Sequence, residues 1–355
     1  MILLFGHWVL YQTLITFQVI PDRYHSISLV GFAFLAFSFI PATLLSFRHS
    51  NFWVRGLYKL SATWLGFLNF GFLASIGLWI LSGAGWLAGV QFDRLGSAET
   101  LFGLAIAMGG VSMINAAVIR VRRITVNLPN LPPSWKGRTA ALISDLHLGH
   151  VRGPRFIRRI VTILARLKPD LLFIAGDLFD GAAVDVAELV QPWKKLTPPL
   201  GIYFIAGNHE EFSDPNRYLD ALKQSGIRIL NNEKTIVEEM QIVGVHYRDA
   251  ADGRRLGAIL EQAGLNRNRP SILLTHTPEL LEIVEKAGIS LQLAGHTHAG
   301  QLFPFTWFVS RIYGPFAYGL NRFGNLIVYT SCGAGTWGAP MRLGTRPEVV
   351  LIRFE

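Results

Sequence analysis

Two patterns of hydrophobic positions divide the chain. Through residue 119, charged residues are so sparse that they leave four uncharged stretches, 1–21, 24–47, 60–92 and 100–119. Each stretch has about the 20 residues that a helix needs to cross a bilayer. Within "FAFLAFSFIPATLLSF" and "GFLNFGFLASIGLWIL" the apolar side chains cover every face, unlike a surface helix with one wet side. The pattern predicts four transmembrane helices within 1–123, at about 1–21, 26–47, 61–85 and 100–119. A buried helical domain is the alternative. A cleaved signal peptide does not fit, because Met1–Pro21 has no basic start and three more apolar stretches follow.

Beyond Arg123 the pattern changes. "TVNLPNLPPSWKGR" reads as a short strand and a proline-rich connector, a linker over 124–138. From Thr139 to Glu355, short β-branched runs alternate with helical periodicity. The strands are "TAALIS", "DLLFIAG", "GIYFIAG", "QIVGV", "SILLTH", "LQLAG", "NLIVYTS" and "EVVLIRF". Helices are expected over 154–167 and near 184–195, 216–225 and 279–286. Strands that are apolar throughout suit a sheet covered on both faces, hence an α/β domain. In such folds chemistry gathers at the carboxyl ends of the strands.

Composition sharpens this division. Half of the 355 residues are apolar, 16% are charged and mean hydropathy is +0.34, yet only eight charged residues precede position 120. Cys332 is the only cysteine, which excludes an intrachain disulfide and a cysteine-based metal cluster. Arg48, Arg55 and Lys59 share one loop, and Arg120, Arg122 and Arg123 follow the last span. The positive-inside rule then places both termini and the large domain in the cytoplasm of an inner or plasma membrane. No Asp, Glu, Lys or Arg sits mid-span, which argues against a pore or transporter. Asn69 and Asn115 read as helix–helix hydrogen bonds. Residues 120–355 carry 28 basic and 21 acidic side chains, a balance suited to an anionic leaflet or a phosphorylated substrate. Nothing interleaves aromatic and basic residues as a nucleic-acid surface would.

The strand ends carry the chemistry. "TAALIS" delivers Asp145 and His147, "DLLFIAG" Asp177, and "GIYFIAG" Asn208, His209 and Glu210. "SILLTH" delivers His276, and "LQLAG" His296 and His298. One such end could be a turn; five ending in Asp, Asn or His point to a metal site. Oxygen and imidazole donors without thiolate suit Mn, Fe or Zn. Two ions about 3.5–4 Å apart, bridged by a carboxylate, would clamp an in-line displacement and supply hydroxide near neutral pH. A histidine holding no metal would protonate the leaving group.

The blocks Asp145-Leu-His147, Gly176-Asp177-Leu-Phe-Asp180, Gly207-Asn208-His209-Glu210, His276 and Gly295-His296-Thr-His298 resemble the ordered motifs of the calcineurin-like metallophosphoesterases. The likeness extends over about 139–355, and with the apolar first third it resembles their membrane-anchored bacterial type. It implies a two-sheet β sandwich flanked by helices. It also implies that Asp145, His147, Asp177 and His298 hold one divalent ion, and that Asp177 bridges to a second completed by Asn208, His276 and His296. His209 would contact the phosphoryl group as general acid, oriented by Asp180. The expected activity is hydrolysis of a phosphodiester or diphosphate, with a lipid-linked substrate as one possibility. The alternatives are a soluble substrate, or a scaffold that has lost catalysis.

Three departures bear on the substrate. Gly181 stands where many protein phosphatases of the superfamily carry an arginine, which weakens a phosphoprotein reading. His246 stands where relatives often show an aspartate pair and reads as a rim residue; His150 and Glu210 read as structural or rim residues. The aromatic stretch Phe303 to Asn325 has no clear period, so it reads either as a loop packed onto the domain or as a segment resting at the bilayer interface.

Overall fold

The computed structural model describes residues 1–91, 93–212 and 214–355, which form two compact units. The first is Met1–Asn115 with Gly338–Leu343; the second is Ala116–Trp337 with Gly344–Glu355.

The first unit is built from α1 (Ile2–Thr16), α2 (His25–Ser46), α3 (Phe52–Ala88) and α4 (Arg94–Ala117). Three segments, Asp22–Ser46, Phe52–Ala88 and Arg94–Ala117, are long and apolar enough to cross a membrane. The first helix, expected as a fourth span, has 15 residues and falls short of that length. Small residues are buried (Ala36, Ala42, Ala62, Ala74, Ser61, Ser75), whereas Phe34, Leu60, Ile80 and Ile106 are exposed. Phe17, Phe70 and Leu78 are buried among them, so it is the apolar exterior that sets this unit apart from a water-soluble helix bundle. Backbones approach across small side chains while large apolar groups face outward, as apolar solvent permits. Buried polar groups find partners: Trp64 Nε1 donates to His7 Nε2 at 2.7 Å, and Trp79 Nε1 to Thr13 Oγ1 at 2.9 Å. Asn115 Nδ2 donates to the Arg342 carbonyl at 2.9 Å, fixing Gly338–Leu343 within this unit.

In the second unit, one sheet has the order β1 (Arg120–Val126), β12 (Glu348–Phe354), β2 (Thr139–Ile143), β3 (Leu171–Ala175), β4 (Ile202–Ile205), β5 (Arg228–Ile229). The other runs β10 (Gly319–Phe323), β11 (Leu326–Thr330), β9 (Leu291–Ala294), β8 (Ser271–Leu274), β7 (Met240–Gly244), β6 (Glu233–Val237). Parallel pairing from β2 to β5 and from β7 to β9 to β11 puts their carboxyl ends on one rim. The helices are α5 (Pro154–Leu167), α6 (Val186–Val190), α7 (Pro215–Gln224), α8 (Tyr247–Ala250), α9 (Gly253–Gln262), α10 (Leu281–Lys286) and α11 (Phe305–Tyr313).

The strand period of two sorts the apolar runs into separate cores. Leu171 and Phe173 of β3 join Ile242, Ile272 and Leu293 between the sheets, while Leu172 and Ile174 join Ile157, Ile160 and Leu164 of α5. A third core lies between the second sheet and α9 and α10, through Val243, Leu256, Leu273 and Val284. Every strand residue of β3, β4, β7, β8 and β9 is therefore buried, which explains the uninterrupted hydrophobicity of those runs.

Two stretches differ from the sequence expectation. The linker over 124–138 is part of the fold: β1 pairs in parallel with β12, and Trp135 is fully buried against Phe354 with its Nε1 donating to the Val237 carbonyl. The aromatic stretch is not a loop. It forms α11, a short turn and the antiparallel hairpin of β10 and β11.

Candidate metal centre

Five of the nominated residues sit where backbone geometry is least comfortable. Asp145 (φ 52°), His147 (47°), Asp177 (50°), His296 (70°) and His298 (47°) all occupy the left-handed region. Each such residue costs on the order of 1–3 kcal/mol, so a cluster of them has to be held by its surroundings. The turns swing the side chains off the strand ends into one volume. Two glycines make that volume possible. A Cβ at Gly207 would lie 2.2 Å from Asp177 Oδ1, and one at Gly295 2.4 Å from Asp145 Oδ2. Neither position has room for any other residue.

The side chains meet in two groups that share a wall. His147 Nε2 and His298 Nε2 face each other at 3.0 Å, with Asp145 Oδ1 3.7 Å from the latter. His276 Nε2 and His296 Nδ1 face each other at 3.1 Å. Asp177 Oδ2 belongs to both groups, 3.2 Å from His276 Nε2 and 3.8 Å from His147 Nε2. Its other oxygen accepts the His209 backbone N–H at 2.9 Å. Asp145 accepts the His296 N–H with both oxygens, at 3.0 and 3.1 Å, tying the first strand end to the last.

The donor set fits divalent cations. Asp145, His147 and His298, and separately Asp177, His276 and His296, bring ligand atoms within 4.8 Å of one another. His147, Asp177 and His209 do the same. Nδ1 of His276 donates to the Ala175 carbonyl at 2.8 Å, which leaves Nε2 as the lone pair aimed inward. Asn208 Oδ1 is buried and has no hydrogen-bond partner, as a carbonyl meant for a cation would be.

Electrostatics point the same way. Burial alone would lower the His276 pKa, but the Asp177 carboxylate beside it prevails and raises it to about 10. His296, buried and next to that cation, falls to about 4. Burial would raise Asp177, yet His276 and His147 hold its carboxyl far below the usual range. Burial raises Asp145. A proton on His276 therefore does in part what a cation would do: it compensates buried carboxylates.

Asp180, expected to orient His209, lies between two rings, its Oδ1 3.6 Å from His209 Nδ1 and 3.4 Å from His147 Nδ1. Burial and the neighbouring His147 lower the His209 pKa. Glu210 is not at the rim. Fully buried, it accepts backbone N–H groups from Gly207 (2.7 Å), Asp177 (3.0 Å) and Phe179 (3.0 Å), stitching the β3 and β4 ends together. Burial and the Asp177 charge raise its pKa to about 7. His246 caps α8 through the Arg248 N–H and stands 3.4 Å from Glu211.

Sequence reasoning missed the loop Ser331–Thr336, in which Ala334 and Gly335 donate to the carbonyls of Ser144 and Asp145 at 3.1 and 2.9 Å. Its run of small residues was the available signal. It also missed Tyr247, 5.8 and 6.1 Å from the His276 and His296 rings, for which no motif exists.

Comparison with known proteins agrees with this geometry. The profile of the calcineurin-like phosphoesterase family matches residues 139–300. A zebrafish (Danio rerio) protein, "Transmembrane protein with metallophosphoesterase domain", is 34% identical over 68% of this chain; the match covers 58% of that protein's length. An uncharacterized metallophosphoesterase of Aquifex aeolicus is 32% identical over 71% of this chain and 98% of its own. One from Campylobacter jejuni is 27% identical over 92% and 89%, so that likeness reaches into the apolar first third. The family uses divalent metal ions, and its phosphoester hydrolysis accords with the Asp and His clusters described above. The chain belongs to the calcineurin-like metallophosphoesterases.

Proposed function

We propose that the chain is a membrane-anchored phosphoesterase that hydrolyses a phosphodiester or diphosphate bond of a lipid-linked substrate at a dinuclear centre. Asp145, His147, Asp177 and His298 would hold one ion; Asp177, Asn208, His276 and His296 would hold the other. The observation that carries this reading is the position of Asp177 Oδ2, within reach of His276 on one side and His147 on the other. When bound, the ions would lower the pKa of a shared water and neutralise charge on the phosphoryl oxygens. The chain's own residues would do the rest. Asp177 keeps its negative charge because two imidazoles flank it. His209 is held over the same volume by its backbone N–H on Asp177 and by Asp180 beside its ring. Its lowered pKa favours the neutral ring; an incoming phosphoryl anion would favour the charged form, which can then protonate the leaving oxygen.

Three features support a lipid-linked substrate near a membrane. Three segments suit bilayer spans. A diester or diphosphate is favoured by Gly181, which supplies no guanidinium for a phosphomonoester. And α11 shows an outward stripe of Phe305, Phe308 and Ile312 at i, i+3 and i+7, each at least half exposed, beside Trp307 and Arg311. Exposed aromatic rings with a nearby guanidinium suit the bilayer interface and its phosphates. The intact set of donors speaks against a scaffold that has lost catalysis.

Asp177→Asn removes the shared charge, so metal analysis of the purified variant should find both ions lost or loosened. Two tightly held ions would refute the bridging role. By contrast His209→Ala should keep its metals and turn over ~10²–10⁴-fold more slowly; a normal rate would remove His209 from the chemistry. With the large unit cytoplasmic, a reporter active only outside the cytoplasm should be silent at Glu355 and strong near Arg94, and the reverse would move the site to the other side. Replacing Trp307 and Phe308 by Ser should cut hydrolysis of a long-chain lipid ester while sparing a small soluble diester. Equal losses on both would mean that α11 only supports the fold.

A further inference from the structure

The ligands and Glu210 account for the floor of the site but not for its edge beside His209. Two aromatic rings stand there with about half their surface uncovered. Phe212 packs its ring 4.6 Å from the His209 ring and is 54% exposed. Trp337 approaches the same imidazole at 6.1 Å, nearly perpendicular at 77°, and is 59% exposed. Exposed rings are common on surfaces, but these two are held in place. The Trp337 N–H donates to Gln301 Oε1 at 2.9 Å, and Gln301 Nε2 donates back to the Trp337 carbonyl at 3.0 Å. This reciprocal pair sets the backbone from which the indole projects. Phe212 is seated by Gly181, whose φ is +74° and whose absent Cβ would fall 2.7 Å from Phe212 Cβ. The position that could have carried a phosphate-gripping arginine is thus closed to any side chain, and a phenyl ring lies against it.

We infer that Phe212 and Trp337 form an aromatic clamp for a planar apolar group, an aryl ring, carried by the leaving group that departs on the His209 side. The inference rests on the reading of His209 as the leaving-group acid. Faces and edges of two rings favour a flat, polarizable partner in offset or edge-on contact over a saturated chain. Neither ring offers a charge, so recognition of this part of the substrate is by shape and stacking. A planar group held there would also shield the proton transfer from His209 against water.

The test uses the full-length, detergent-solubilised, metal-loaded chain. Calorimetric binding of methylphosphonate, phenylphosphonate and hexylphosphonate is measured beside hydrolysis of bis(4-nitrophenyl) phosphate. Wild type should bind phenylphosphonate roughly tenfold more tightly than methylphosphonate, the gain expected of one or two ring contacts, with hexylphosphonate gaining less. Phe212→Ala with Trp337→Ala should bring the phenyl-to-methyl ratio towards one at unchanged metal content, and Trp337→Phe should recover more of it than Trp337→Leu. A wild-type ratio near one, a hexyl gain equal to the phenyl gain, or a double variant that keeps the ratio would each overturn the clamp, even in an active enzyme. Absence of bis(4-nitrophenyl) phosphate hydrolysis with the binding preference intact would overturn the phosphodiester reading instead and leave the ring site standing.

Discussion

The Asp177 carboxylate is the point on which the arrangement of the site turns. One oxygen lies between His276 and His147, and the other receives the backbone N–H of His209. Its own N–H is held by Glu210, as are those of Gly207 and Phe179. Four strand ends from two sheets therefore converge on one side chain and the carboxylate beneath it. The sandwich supplies this convergence because parallel strands bring their carboxyl ends to one rim. Removing water from so many charged groups is expensive unless each is compensated. In the protein alone the compensation comes from N–H donors and from a proton on His276, lifted to about 10. Divalent cations would compensate more completely, since the same donors converge without rearrangement.

Strain and close approach are the conditions for that convergence. Left-handed backbone at Asp145, His147, Asp177, His296 and His298 is tolerated because the sheets beneath are buried on both faces and cannot relax. The loop Ser331–Thr336 adds a clasp from behind, its N–H groups on the carbonyls of Ser144 and Asp145. Helices of the first unit follow a different rule: large apolar groups such as Phe34, Leu60, Ile80 and Ile106 face outward around an interior that mixes small residues with Phe17, Phe70 and Leu78. That rule needs an apolar solvent, whereas the second unit follows the usual exclusion of apolar groups from water.

How much of this could be read from the chain depended on whether the controlling interaction was local. Strands buried on both faces are legible because burial forces an unbroken apolar run, as in "DLLFIAG". The Asp and His residues that the structure gathers were legible because each run stops on a donor after a glycine or a turn. The span count was less so: the first stretch is apolar enough, but the helix ends at Thr16 and leaves 15 residues. Glu210 read as a structural or rim residue because nothing local shows that three N–H groups from three segments converge on it. Trp135 looked like part of a proline-rich connector, though its indole is fully buried. The aromatic stretch hid a helix because Phe305, Trp307, Phe308 and Ile312 all stay exposed on it, so no core-facing period marks it.

Exposed apolar rings are common to α11 and to the edge of the site beside His209. A soluble phosphoesterase would gain nothing from keeping Phe305, Phe308, Ile312, Phe212 and Trp337 exposed, and would incur a risk of aggregation. In an enzyme whose substrate is anionic at one bond and apolar elsewhere, the same surface serves. On the proposed reading, the buried Asp and His cluster would provide for the phosphoryl group, and the uncovered rings for what is attached to it. Gly181 fits this division: an arginine there would add a charge beside His209 and remove the room that Phe212 occupies. One small residue thus excludes a guanidinium and admits a ring, the arrangement that the proposed substrate, an esterified phosphate with an apolar substituent, would need.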